Sequence, residues 1–236
     1  MAGWQAPPRS DAREGTEAPT PFRARGEAAP TPETNLDETR IAPAGLQKIN
    51  IKLFAEASSD LDYDFLLAVF GRWRLDLERD EIMDLADYGH IDQGPTCLIV
   101  GHRYHFGVDL AGGRPGLFLS TRKGLSGAPV VRVIQALTLL VEHSKRLAAE
   151  PDFPGHAFRP KCGELEVTLN DRLLAPNNEA TDAEWRPGLD EALAKVYGAG
   201  KATVEREGRP EMRASYRVRA PGADAWTLDE LSRRLG

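Results

Sequence analysis

The chain has 236 residues, 41% apolar and 28% charged, with a formal net charge of −6. That suits a globular protein with a sizeable core, and it speaks against nonspecific nucleic-acid binding, which needs a basic surface. Only Cys97 and Cys162 are present, which excludes a disulfide framework and fits a reducing compartment. No apolar run reaches the ~20 residues of a bilayer span, and the polar start MAGWQAPPRS carries no signal-peptide core. The expectation is a cytoplasmic protein with no membrane and no nucleic-acid partner.

Residues 1–45 hold seven of the 17 prolines and few large apolar side chains. Such a segment cannot bury enough surface to offset its conformational entropy, so it reads as a disordered leader. The folded part is expected over 46–236. Lys48–Glu56 alternates Ile49, Ile51 and Leu53 with polar residues, the pattern of a half-buried strand. Ser59 opens a cap, and Tyr63, Leu66, Leu67, Phe70 and Trp73 follow at helical spacing. Ile82–Tyr88 reads as a short strand ending before the Gly94-Pro95 turn. Thr96–Gly101 and Tyr104–Leu110 form a hairpin about His102-Arg103, and turns at Gly112-Gly113 and Pro115-Gly116 lead into Leu117–Thr121.

A long helix over Ala128–Ala149 follows, with Pro129 in its first turn. Its apolar stripe is Val130, Val133, Ile134, Leu137, Leu140, Val141 and Leu147. Pro151–Pro160 reads as a linker and Glu164–Asn170 as an alternating strand. A helix then runs to Tyr197; its start is ambiguous, because Thr181-x-x-Glu184 resembles a capping box but Pro187 lies far inside. Lys201–Glu207 and Arg213–Arg219 make a hairpin, and a short helix begins at Thr227-x-x-Glu230. Strands in hairpin runs predict an α+β fold. The sheet is expected to be largely antiparallel with helices packed on one face, as a single unit or as two lobes, 46–150 and 161–236.

Residues 84–123 read D-L-A-D-Y-G-H, then G-P, V-G-H, G-R-P-G-L and R-K; Asn170–Asn177 reads N-D-R-L-L-A-P-N. These stretches resemble a family of uncharacterised bacterial proteins, over about residues 48–220. The resemblance implies an intracellular bacterial protein with one folded unit. It brings no catalytic residue.

Charge is unevenly placed. Residues 51–93 carry eleven acids and four bases, and residues 101–132 carry five bases and one acid. Several chemistries can be weighed on that background. His90, His102 and His105 with Asp87 and Asp109 suggest a metal or a small hydrolase or transferase site. Strand residues three apart point to opposite faces, however, and nothing here matches a helical HExxH pair. Ser126 in Gly-Leu-Ser-Gly-Ala lacks the spacing of a nucleophile elbow and reads as the cap of the long helix. Cys97 reads as a core thiol, and Asp84 and Asp87 as opposite-face acids. Arg213, Arg217 and Arg219 read as a surface ladder against Glu205 and Glu207.

The best-supported chemistry is anion binding. Arg122 and Lys123 follow a strand, and a loop through Ser126 and Gly127 opens a helix whose first amides are unpaired. Arg114 in the Gly-Arg-Pro-Gly turn adds charge. No Walker or dinucleotide fingerprint is present. The sequence therefore points to a noncatalytic binding or accessory module for an acidic small molecule or an acidic protein segment, with no cofactor and no metal. The alternative is an enzyme built on the His90, His102 and His105 region.

Overall fold

The computed structural model describes residues 45–57, 63–75, 82–90, 95–151, 153 and 158–236. The leader before Gly45, Ser59 with its expected cap, and Gly94 lie outside them. Eight strands form one sheet: β1 (Ile49–Ala57), β2 (Ile82–Asp87), β3 (Cys97–Gly101), β4 (Tyr104–Asp109), β5 (Gly116–Thr121), β6 (Phe158–Leu169), β7 (Thr203–Arg206) and β8 (Ser215–Arg219). Their order is β2-β3-β4-β5-β1-β6-β8-β7, and every pairing is antiparallel. The helices are α1 (Tyr63–Arg74), α2 (Pro129–Ala148), α3 (Glu179–Tyr197) and α4 (Leu228–Leu235). This is the expected α+β class.

The register gathers an apolar row on one face of the sheet. Leu85, Ile99, Phe106, Leu119, Ile51, Val167 and Tyr216 stand opposite one another across seven strands. Side chains directly opposite in a ladder point the same way. Among the described residues, this row and the buried apolar residues of α1, α2, α3 and α4 belong to one apolar core, with Leu85 packed against it. The next row, Leu98, Gly107, Phe118, Lys52, Glu166, Arg217 and Glu205, takes the other face. The expected Arg217–Glu205 neighbours are among its pairs.

Two boundaries differ from the sequence reading. The expected linker Pro151–Pro160 already contains the start of β6, where Phe158, Arg159 and Pro160 face Ala57, Glu56 and Ala55. A register shift between Leu53 and Ala55 accommodates this start, so alternation alone showed only the second half of the strand. Since β1 pairs with both β5 and β6, the halves share one sheet and one core rather than forming separate lobes. Helix α3 begins earlier than its Thr181 box suggested. Asn178 is its cap and accepts from the Thr181 N–H at 2.9 Å, and Pro187 stays inside the helix. Thr227 caps α4 as its box predicts, accepting from the Glu230 N–H at 3.2 Å. Among the described residues, no helix is long and apolar enough to cross a membrane.

Candidate functional site

The loop between β5 and α2 is held by side chains from four places. Gln47 pairs with Leu125 twice: its amide donates to the Leu125 carbonyl at 2.9 Å and accepts from the Leu125 N–H at 3.0 Å. Thr121 joins the end of β5 to the start of β1 by donating to the Gln47 carbonyl at 2.6 Å and accepting from the Ile49 N–H at 2.9 Å. Gln135 of α2 accepts from the Ser126 N–H at 3.1 Å. Arg132, buried in the first turn of α2, donates to the carbonyls of Gly127 at 2.8 Å, Leu46 at 2.9 Å and Leu125 at 3.4 Å. Because these ties fix the loop backbone, whatever its side chains line is held in place too.

They line a half-open cleft of about 330 Å3 beside α2. Its floor is apolar: Leu125 and Tyr104 are buried, and Ile134 and Leu139 are half-buried. Arg103 and Lys123 stand exposed at one end, where the Arg122 and Lys123 N–H groups both donate to the Arg103 carbonyl at 2.8 and 3.3 Å. Gly124 sits at φ +91°, and a Cβ there would lie 3.1 Å from the Arg103 Nε, so the missing side chain makes room for the guanidinium. Along α2, Gln135, Thr138 and Glu142 form the wall, with Glu142 exposed. Tyr104 packs on the buried His143 at 4.9 Å between ring centroids. Among the described residues, no ion pair engages Arg103, Lys123 or Glu142.

Of the five residues expected to bind an anion, only Lys123 lines this cleft. Arg114 lies before β5 and Lys123 after it, so the six-residue strand, about 20 Å long at ~3.3 Å per residue, separates them. Arg114 instead bonds Glu164 at 2.6 Å and lies 3.9 Å over the Phe54 ring. Arg122 follows the buried Thr121, and alternation turns it toward the other face. There its charge and, first, burial hold His105 below its ordinary value. Ser126 is not the helix cap: Ala128 is, with no side-chain bond, and Pro129 takes the first helical position.

The expected amide cradle at Gly127 is partly used by the chain itself. The Gly127 carbonyl faces Arg132, the Val131 and Arg132 N–H groups donate to Ala128, and Pro129 has none. A Cβ on Gly188 of α3 would lie 2.6 Å from the Pro129 Cβ, so α3 packs directly on this helix end. The sequence pattern missed this because the donor filling the loop, Arg132, reads from sequence as one more solvated base.

The histidines do not converge. His90 lies beyond the Asp87–Cys97 end of the β2–β3 ladder. His102 lies beyond its Ile82–Gly101 end, exposed, and His105 accepts at Nδ1 from the Gly101 N–H at 3.3 Å. Among the described residues, no group of three potential ligands could hold a metal. Asp87 accepts from the Tyr63 hydroxyl at 2.5 Å and from the Gly89 N–H at 2.9 Å, bonds that in that order hold its carboxyl below the usual range. Asp84 faces Arg74 at 3.5 Å. Burial pushes the Cys97 and Cys162 thiols up to about 12 and about 11, so both are core thiols without thiolate character.

The missed residues had one usable signal. Pairing Tyr104 with Thr121 sets Arg103 opposite Arg122, one residue from Lys123, whose N–H also reaches the Arg103 carbonyl at 3.3 Å. Gln135, Thr138 and Glu142 recur at helical spacing beside the core stripe, but nothing in the sequence says which wall they face. Comparison with family models, curated proteins and solved structures returns no match.

Proposed function

We propose that this protein is a noncatalytic binding module and that its ligand is an acidic small molecule held in the cleft between the β3–β4 turn, the β5–α2 loop and α2. The observation that carries this reading is the pairing of two bases, Arg103 and Lys123, which have no ion-pair partner among the described residues, with an apolar floor of Leu125, Ile134, Leu139 and Tyr104. Apolar lining with a few placed polar groups is the usual make-up of a small-molecule site, and about 330 Å3 falls at the small end of the usual range. That size favours a small acid over an acidic protein segment. The separation of His90 from His102 and His105 supports the binding reading over the enzymatic alternative.

The two enclosed thiols, on different strands, support a reducing compartment, and so a cytoplasmic protein. The sequence resemblance extends the proposal to a bacterial one.

The test is an amide-shift titration with hexanoate and, separately, with inorganic phosphate. Shifts are expected at residues 103–104, 123–125 and 134–142 for at least one of them. They should weaken with added salt, because exposed charges are screened over about 8–10 Å, and they should vanish in Arg103→Ala with Lys123→Ala. Absence of such shifts at millimolar concentration, or shifts that survive the double substitution, would reject the reading.

A further inference from the structure

Thr138 sets a further condition on the ligand. Ile134, Gln135, Thr138, Leu139 and Glu142 form the α2 wall of the cleft, and their spacing of three and four puts them on one helix face. Thr138 stands in the middle turn of that face, half-buried beside Leu139. A hydroxyl inside a helix commonly bonds the carbonyl four residues back, as Ser144 does to Leu140 at 2.6 Å. Among the described residues, no hydrogen bond engages the Thr138 hydroxyl. Gln135, one turn earlier, is already bonded to Ser126.

In the free protein, a half-buried hydroxyl without a protein partner bonds to water. An acid seated on Leu125, Ile134 and Leu139 would displace that water. A plain hydrocarbon chain then leaves the hydroxyl covered and unpaired, which costs free energy, whereas a chain carrying a polar group restores the bond. A ligand hydroxyl suits Thr138 best, because each can both donate and accept. Glu142, exposed one turn farther along the same face, offers only an acceptor and would repel a second carboxylate. We infer, on the anion-cleft reading proposed above, that the cleft selects a hydroxy acid. Thr138 is the residue that distinguishes it from a plain aliphatic acid.

Hexanoate and its β-hydroxy and δ-hydroxy derivatives share one carbon chain and one carboxylate. Each is titrated into the full chain and into Thr138→Val, which keeps the branched shape and removes the hydroxyl. Shifts of the cleft amides give the affinities. In the wild type, at least one hydroxy acid should bind about two- to tenfold tighter than hexanoate, the gain expected of one neutral hydrogen bond. In Thr138→Val that preference should disappear, with hexanoate binding no weaker than before. Hexanoate binding as tightly as both hydroxy acids in the wild type overturns the inference and leaves the anion cleft standing. A preference that persists in Thr138→Val also overturns it, because the ligand hydroxyl would then be recognised elsewhere. If none of the three acids shifts the cleft amides, both this inference and the anion cleft fall.

Discussion

Replacing Arg132 with methionine should destabilise the fold more than any other single charge deletion near the cleft. The side chain is 9% exposed, and its guanidinium serves three carbonyls, at 2.8, 2.9 and 3.4 Å. Methionine keeps much of the aliphatic packing and removes every donor. Two effects then oppose each other. Burying a cation is costly, so removing it relieves desolvation, and whole buried ion pairs can be replaced by apolar groups with little loss. Here the partners are backbone carbonyls, which the substitution cannot remove. Each well-formed bond to a charged donor contributes about 1.5–3 kcal/mol, and each carbonyl left buried and unpaired costs about 1–3 kcal/mol. Counting the two shorter bonds, a net loss of about 3–5 kcal/mol is expected. At roughly 2–4 °C per kcal/mol for a domain of this size, Tm should fall by about 6–20 °C. Urea titration is the assay. A loss below about 1 kcal/mol with an unchanged slope would show that the loop carbonyls find other donors, and the account of how the cleft is held would fail. Arg132→Lys should fall between the two, because one ammonium cannot serve three carbonyls spread over a planar fork.

Leu137, 1% exposed on the core face of α2, should cost about 2–5 kcal/mol as Leu137→Ala by denaturant titration. Gly188→Ala should loosen α2 from α3, because its Cβ would lie 2.6 Å from that of Pro129; an unchanged Tm would mean the two helices separate freely. Gly124→Ala, at φ +91° and against the Arg103 side chain, should weaken hexanoate binding and lower stability by about 1 kcal/mol or more. His105 is held low by burial and then by Arg122, so the unfolded chain takes up this proton first as pH falls below ~6.5. Its stabilisation is complete above that value and is lost as pH falls through the folded one. Arg122→Ala should reduce the stability lost between about pH 7 and about pH 5; an equal or larger loss in urea melts would refute the charge's role.

The fold was most legible where a strand alternates buried and half-buried residues, as β1 and the second half of β6 do. Alternation at Ile49, Ile51 and Leu53 and at Leu165, Val167 and Leu169 marks both the strands and the side the helices must cover. The start of β6 was hidden for a physical reason. Phe158-Arg159-Pro160 carries no alternation, and its pairing with Ala55–Ala57 is supplied by tertiary context after a register shift. Asn178 was passed over for the same kind of reason: a cap is defined by the backbone it leaves, and Thr181 offered an equally good local pattern three residues on.

The site was legible only in part, because charge in a sequence has no direction. The run Arg122-Lys123 reads as one basic pair, but alternation sends Arg122 toward His105 and leaves Lys123 to the cleft. A helix N-terminus after a glycine loop reads as an anion cradle, yet here Arg132 takes the loop carbonyls, Pro129 has no N–H to offer, and α3 packs closely on the helix end. What remains available for a ligand is what the fold leaves unpartnered. Arg103 comes from a hairpin turn, Lys123 from a strand end and Glu142 from mid-helix. Only the antiparallel pairing of Tyr104 with Thr121 and the seating of α2 on that sheet bring the three to one cavity. Changing the hydrogen bonds that hold the β5–α2 loop should therefore alter ligand affinity even where no ligand-facing side chain is touched. Gln47→Ala, which frees Leu125 from both of its amide bonds, isolates that link. It should weaken hexanoate binding with Arg103, Lys123 and Glu142 all in place. Unchanged affinity would mean that the cleft's charges are positioned by the sheet and helix alone.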